Sequence, residues 1–287
     1  MPAVSTPPFL EPPAGTARRD VGTKRGPFAA FVGEAPDAPH GTALLLPGFT
    51  GSKEDFLAVL GPLQDRGTRP VAVDLTGQFE TPGPPEAEAY SLDGWADDVL
   101  ALVAALDGPV HLVGHSFGGL VARDALLRSP SSFASVTFLC TGAGALPQEQ
   151  HERLRVFASV LAAQGAATLW AAMRALEEEL GGATPPVPEI AGFLERRFTS
   201  HSPGSLLTMV DVLVSEPSRD DAVAALDVPL HVVTGERDDA WTPQEQGARA
   251  DALGAPFSVV ADAGHSPAVD QPAATADLLT TFWAEVG

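Results

Sequence analysis

Lysine is nearly absent from this chain. Only Lys24 and Lys53 stand among 17 basic residues, against 37 acidic ones, for a formal net charge of −20 over 287 residues. A surface so negative repels a phosphate backbone, so nucleic acid is not an expected partner. Cysteine is reduced to Cys140, which cannot form an internal disulfide; inside the strand-like Ser135-Val-Thr-Phe-Leu-Cys140 it is expected to be a small buried hydrophobe. No apolar run reaches about 18 residues, so no membrane-spanning helix is expected. Met1 to Pro13 shows no basic region followed by an apolar core, which predicts no secretory signal and a cytoplasmic location; its prolines predict an extended, poorly ordered lead-in over residues 1–16. Neither H-E-x-x-H nor G-x-G-x-x-G occurs, and Gly142-Ala-Gly144 opens no dinucleotide site, so no metal and no cofactor are expected. No internal repeat or low-complexity tract stands out.

What the chain does have is apolar residue, 45% of it, ample for a buried core. It also has one informative pentapeptide, Gly114-His115-Ser116-Phe117-Gly118. The β-branched run Pro109-Val-His-Leu-Val113 precedes it, and the helix-like Gly119-Leu-Val-Ala-Arg-Asp-Ala-Leu-Leu127 follows. Strand, sharp Gly-x-Ser-x-Gly turn and helix are the context of a nucleophile elbow. A turn this tight holds its serine at strained angles, and side chains at Gly114 and Gly118 would collide with backbone. The hydroxyl then stands clear of the sheet, and the N–H of Phe117 starts a helix aimed at any developing oxyanion.

A serine nucleophile needs a base and an orienting acid. Near the C-terminus, the strand-like Pro256-Phe-Ser-Val-Val-Ala261 runs into Asp262-Ala-Gly-His265, a histidine in a short loop after a strand. Upstream, the apolar Pro229-Leu-His-Val-Val-Thr234 ends in Gly235-Glu236-Arg237-Asp238-Asp239, which places Asp238 at a strand's carboxyl end, where open α/β sheets hold their ligands.

The order Ser116, Asp238, His265 resembles that of the α/β-hydrolase-fold superfamily, in particular its esterase-like, cap-bearing members, over roughly residues 17–287. The His-Gly that usually follows the third strand of that family corresponds to Pro47-Gly48 in Ala43-Leu-Leu-Leu-Pro47-Gly48-Phe49-Thr50-Gly51. The resemblance implies an oxyanion hole made by the backbone N–H groups of Phe49 and Phe117. A second family segment, Asp-x-Arg-Gly-His-Gly-x-Ser, appears as Asp74-Leu-Thr76-Gly77-Gln78-Phe79-Glu80-Thr81, keeping only Asp74 and Gly77 in full. It also favours Asp238 as the acid, three residues after the glycine that ends its strand. A serine at the elbow argues against the haloalkane dehalogenases and epoxide hydrolases of similar architecture, which use an aspartate there.

Periodicity places the rest. A hairpin is expected over 17–23 and 27–33, with strands at 42–47, 69–74, 109–114, 135–140, 229–234 and 256–261. Helices are expected near 52–66, 91–107, 117–129, 243–253 and 271–286. Alternation of the two predicts an α/β fold, a mostly parallel central sheet flanked by helices. The interval 143–226 has no convincing strand but amphipathic segments at 148–163, 165–181, 187–200 and 204–215, the middle pair separated by Pro185, Pro186 and Pro188. This divides the chain into a hydrolase core, 1–142 with 227–287, and a helical cap, 143–226. Most cap apolar residues are expected to pack on each other; Trp170, Met173 and Phe193 are candidates for lining a substrate pocket. His111 and His231, inside strands, and His115, inside the elbow, are expected to be structural; His151 and His201 lie in the cap, and His40 in a solvated loop.

These readings converge on a serine hydrolase acting on a small-molecule acyl substrate, with a carboxylic ester as first choice. Thioester, lactone, amide or carbon–carbon hydrolysis would use the same residues, and a non-catalytic binding protein on the same scaffold is the alternative of another class. Oligomeric state is not legible.

Overall fold

The computed structural model describes residues 5–34, 39–179 and 187–286. In chain order, β1 (Thr16–Thr23) and β2 (Gly26–Gly33) form an antiparallel hairpin, and β3 (Thr42–Leu46) leads through a short 3-10 turn into α1 (Leu57–Asp65). Then follow β4 (Arg69–Val73), α2 (Leu92–Val103), β5 (Val110–His115), α3 (Phe117–Arg128) and β6 (Ser135–Leu139). The helices α4 (Gln148–Glu179), α5 (Pro188–Ser200), α6 (Pro203–Ser215) and α7 (Asp220–Ala224) come before β7 (Leu230–Gly235). The chain closes with α8 (Pro243–Leu253), β8 (Phe257–Val260), α9 (Pro267–Asp270) and α10 (Pro272–Val286). The eight strands make one sheet in the order β1-β2-β4-β3-β5-β6-β7-β8. It is parallel from β4 through to β8, and β2 joins it antiparallel to β4.

The sequence pattern explains the layering. Every residue of β3, β5, β6 and β7 is buried, because helices cover both faces. Alternate side chains feed opposite cores: Leu44 and Leu46 join Trp95 of α2 and Leu120 of α3, while Ala43 and Leu45 join Leu60 of α1 and Trp283 of α10. Local signals set the helix ends. Ser91 accepts from Gly94 N at the start of α2, Thr242 and Glu245 form a capping box on α8, and Gly254 ends that helix at φ 62°.

The helices between β6 and β7 stand over the carboxyl ends of the strands. Gly165, at φ 80°, divides α4 where the sequence pattern breaks, and α4 packs on α6. By composition this helix is long and apolar enough to cross a membrane, with a window of mean hydropathy 1.5, contrary to the expectation of no such run. The break at Gly165 leaves neither arm with the roughly 20 residues a span requires, and Leu154, Phe157, Leu161, Leu169 and Trp170 are buried in the protein. Pro188 opens α5, as expected of proline at a first turn. Pro185 and Pro186 lie outside the described residues, as do positions 180 and 181 of the second expected segment.

The two connections into this segment run side by side. Ala145 N donates to Glu216 O (2.7 Å), and the buried Arg123 of α3 donates to Ala143 O (3.0 Å) and Pro217 O (3.2 Å) while pairing with Asp124 and Glu216. The expectation of a loosely ordered lead-in requires correction over residues 5–15. Pro7 is buried, Leu10 packs on the core, and the segment joins β1 through Thr16 N to Pro13 O (3.0 Å). Proline pre-sets an extended backbone that needs few hydrogen bonds, so it can lie ordered across a surface. Residues 1–4 are outside the described set.

Candidate active site

The site grows from the end of β5. Ser116 has φ 54° and ψ −122°, a strained conformation that β5 on one side and α3 on the other hold in place. The strain needs small neighbours: a Cβ at Gly118 would lie 2.6 Å from the carbonyl oxygens of Leu46 and Pro47. The β3 loop also approaches tightly, since a Cβ at Gly48 would meet Ser116 Cβ at 3.1 Å.

His265, between β8 and α9, reaches the serine. Its Nε2 lies 2.9 Å from Ser116 Oγ, and its Nδ1 lies 2.8 Å from Asp238 Oδ1. Burial works to raise the Asp238 pKa, but the hydrogen bond and charge of His265, with donors from Ala240 N and Gln246, hold it below the ordinary carboxylate value. An ionised Asp238 only accepts, so His265 carries its proton on Nδ1 and turns a free Nε2 lone pair to the serine hydroxyl. Of the neighbouring acids, Glu236 accepts from Asp262 N at 3.0 Å, and exposed Asp239 offers its carbonyl to Gln150. Asp238 is the one that meets the histidine.

Two supports were not visible in the sequence reading. Gln246, fully buried on α8, donates from Nε2 to Asp238 Oδ2 (2.8 Å) and sits 2.7 Å from Trp241 O; both are acceptors only, which orients the amide. Gln78, also fully buried, accepts from Leu75 N with Oε1 (3.0 Å) and donates from Nε2 to Gly48 O (2.8 Å). In a trans peptide the C=O and the following N–H point opposite ways, so holding Gly48 O turns Phe49 N–H away from Gln78. Among the described residues neither Phe49 N–H nor Phe117 N–H meets an acceptor. Gln78 stands at the histidine position of the degraded family segment, which is the signal that singles it out.

The other histidines find structural partners. His115 Nε2 lies 2.6 Å from His265 O, and His111 bonds Ser135 Oγ (2.7 Å) and stacks on Trp283. His231 bonds Ser258 (2.9 Å), and His151 reaches Leu146 O (2.7 Å). The His201 ring lies between two carbonyl oxygens, Nδ1 2.7 Å from Arg197 O and Nε2 3.1 Å from Gly51 O, and the single N–H of a neutral ring donates to one of them. Burial lowers His111, His115, His201 and His231 to about 4, so each is neutral at pH 7. Cys140 is buried as expected, but at φ 50° it turns toward Asp238; burial, and then the Asp238 charge, push its thiol well up. Cys140, Asp238 and His265 form a cluster of metal-ligand types, yet His265 Nδ1 is already committed to Asp238 and the thiol keeps its proton, a poor donor set for an ion.

A cavity of ≈40 Å³ adjoins the serine, lined by Ser5, the loop Gly48 to Gly51, Asp55, His115, Ser116, His265 and Ser266. Trp170, Met173 and Phe193 are not among its walls. Trp170 packs on Phe198, Phe193 meets Phe79 edge-on beneath the Arg197 guanidinium, and Met173 rests on the apolar core. Core packing within the helices consumes their apolar surface.

A sequence profile described as the Alpha/beta hydrolase family matches residues 43–278. The chain belongs to that family. Among solved structures, the fold is shared with an esterase from Thermogutta terrifontis, at TM-score 0.74 and 23% identity over 94% of this chain and 99% of that one. It is shared too with an enol-lactonase from Burkholderia xenovorans, at TM-score 0.73 and 18% identity over 93% and 100%. Identities this low speak for fold alone. The provisionally named carbamate hydrolase RutD of Variovorax paradoxus is 35% identical over 106 residues, 35% of this chain and only 40% of that protein.

Proposed function

We propose that this protein is a serine hydrolase that cleaves a carboxylic ester through an acyl-enzyme. The observation that carries this reading is the continuous relay Asp238 Oδ1, His265 Nδ1, His265 Nε2, Ser116 Oγ, with both links between 2.8 and 2.9 Å. As the Ser116 oxygen attacks the ester carbonyl carbon, His265 Nε2 takes its proton, and Asp238 stabilises the imidazolium. The carbonyl oxygen gains negative charge and lies against the N–H groups of Phe49 and Phe117, each such donor being worth about 3 kcal/mol in related chemistry. The imidazolium returns its proton to the departing alkoxide, leaving the acyl group on Ser116. Water, deprotonated by the same nitrogen, then releases the acid and restores the serine. The substrate is a small-molecule acyl compound that reaches Ser116 through the partly open cleft beside it.

The ester is the first choice because the triad and two N–H donors suffice for it; thioester, lactone, amide and carbon–carbon hydrolysis use the same groups, and a substrate panel decides among them. The test is a fluorophosphonate probe followed by a panel of aryl esters, thioesters and lactones. Labelling confined to Ser116, with turnover of esters above the other classes, is the expected result. A folded protein that leaves the probe unreacted overturns the enzymatic reading in favour of a binding protein.

A further inference from the structure

The loop from Asp238 to Trp241 closes around one buried amide. Gln246 of α8, fully buried, places Nε2 2.8 Å from Asp238 Oδ2, 2.7 Å from Trp241 O and 2.7 Å from Thr234 Oγ1. Its two N–H groups face three oxygens, while its own Oε1 is buried and meets no hydrogen-bond partner among the described residues. Turning the amide over relieves nothing, because Oε1 would then face a carboxylate and a carbonyl. A buried acceptor left unpaired costs stability, and an apolar side chain of similar shape avoids that cost. What glutamine has and the apolar side chain lacks is a donor for Asp238.

That donor bears on His265 through two neighbours. Asp238 Oδ1 accepts from Ala240 N (3.0 Å) and faces His265 Nδ1 (2.8 Å), while Gln246 holds Oδ2, so both ends of the carboxylate are fixed. Trp241, held by its carbonyl, has its ring 6.4 Å from that of His265, which also has the His115 ring at 5.0 Å. Gln246 is not among the walls of the cleft, so it acts through Asp238 and not on substrate.

We infer that Gln246 is a positioning residue of the triad: its N–H sets the Asp238 carboxylate with Oδ1 on His265 Nδ1, and the reactivity of Ser116 depends on that donor. This rests on the serine-hydrolase reading. The titratable and charged groups around the contact, besides Asp238 and His265, are Cys140 at the end of β6, His115 of the elbow, Asp270 of α9, and Arg249 of α8 paired with Asp220. All of these stay in place in the variants below, so a changed pH profile belongs to position 246.

The experiment reads the serine directly, as the rate of labelling by methyl fluorophosphonate per titrated Ser116 between pH 5 and 9.5, with kcat and KM for phenyl acetate measured alongside. Gln246→Leu is expected to lower the labelling rate and kcat about tenfold or more, the scale of one hydrogen bond to a charged group, with KM changed less than about twofold. Gln246→Glu supplies the discriminating readout. Two buried carboxyl groups this close share one proton, and while Glu holds it, its O–H donates to Asp238 Oδ2. Its rate near pH 6.5 therefore exceeds that of Gln246→Leu. As the proton leaves, two anions face each other, and the ratio of its rate to the wild-type rate falls by about tenfold between pH 6.5 and 9.5. A purely structural role gives no such alkaline limb. If Gln246→Leu does not fold, this ratio decides alone. Gln246→Leu within about twofold of wild type per serine, or a Gln246→Glu ratio equal at every pH, overturns the inference. If the wild type labels but turns over no ester, the ester reading fails by itself and the labelling rates still decide Gln246. A folded wild type that takes no label removes the serine-hydrolase reading and this inference with it.

Discussion

Replacing Gln78 with leucine separates the orientation of an N–H group from the stability of the fold. The glutamine amide spans two backbone groups, accepting from Leu75 N at 3.0 Å and donating to Gly48 O at 2.8 Å. Leucine fills a similar volume but makes neither bond. Leu75 N–H is then left buried without an acceptor, which costs about 1–3 kcal/mol of stability and appears as a lower Tm. At Gly48 the loss is partial, because Gly51 N still donates to the same carbonyl at 3.2 Å. The peptide is loosened and not freed, so Phe49 N–H is misaimed for part of the time. Complete removal of one oxyanion donor costs about 10²–10³ in kcat elsewhere, so a loosened one is expected to cost about 10–10² here, with KM changed less than about twofold. The assay is burst titration of reactive serine with a fluorophosphonate, followed by kcat per titrated site on phenyl acetate, which removes any unfolded fraction from the count. Gln78→His, bearing the residue that the resembling segment carries, restores a donor and is expected to recover most of kcat. If Gln78→Leu loses Tm but keeps kcat per site within about twofold, Gln78 serves the fold alone and the argument from the Gly48–Phe49 peptide is wrong.

Three further outcomes are expected. Ser116→Ala folds normally and loses turnover by several orders of magnitude, with no fluorophosphonate label; retained esterase activity would place the nucleophile elsewhere. Asp238→Asn keeps its shape but favours the wrong imidazole tautomer, and is expected to lose about 10⁴ in kcat, as the analogous change does in a serine protease, whereas Asp239→Asn loses little; the reverse ranking would move the acid by one residue. Acid lowers stability through His111, His115, His201 and His231, whose folded pKa values of about 4 lie below the unfolded histidine value. Between roughly pH 6.5 and 4 the unfolded chain binds more protons than the folded one, so stability is full above this window and falls through it, by up to about 3 kcal/mol for each histidine. Urea midpoints at pH 7.5 and 5 measure it, and equal midpoints would refute the neutral burial of these rings.

The sequence by itself determined what is local. The glycines around Ser116 mark a turn that only small residues permit, and the apolar runs 109–114, 135–140 and 229–234 mark strands buried on both faces, because periodicity and turn chemistry act between near neighbours. The boundary between the segments 148–163 and 165–181 was legible for the same reason, whereas the partnership of Ser116 with Asp238 and His265 came from the resemblance to the α/β-hydrolase order. What only the tertiary structure decided is who meets whom across the sheet. Ser116 and His265 are 149 residues apart, and Asp55 and Arg197 are 142 apart. Asp238 is set apart from Asp239 by which way one loop turns, and by Gln246, a polar residue that looks like any exposed helix position until burial closes around it. The lead-in was misjudged on the same physical ground. A proline-rich segment carries no pattern of its own, and its order comes from distant parts of the chain: Pro7 is buried, Leu10 packs on the core and a guanidinium on a distant helix holds the carbonyl of Ser5.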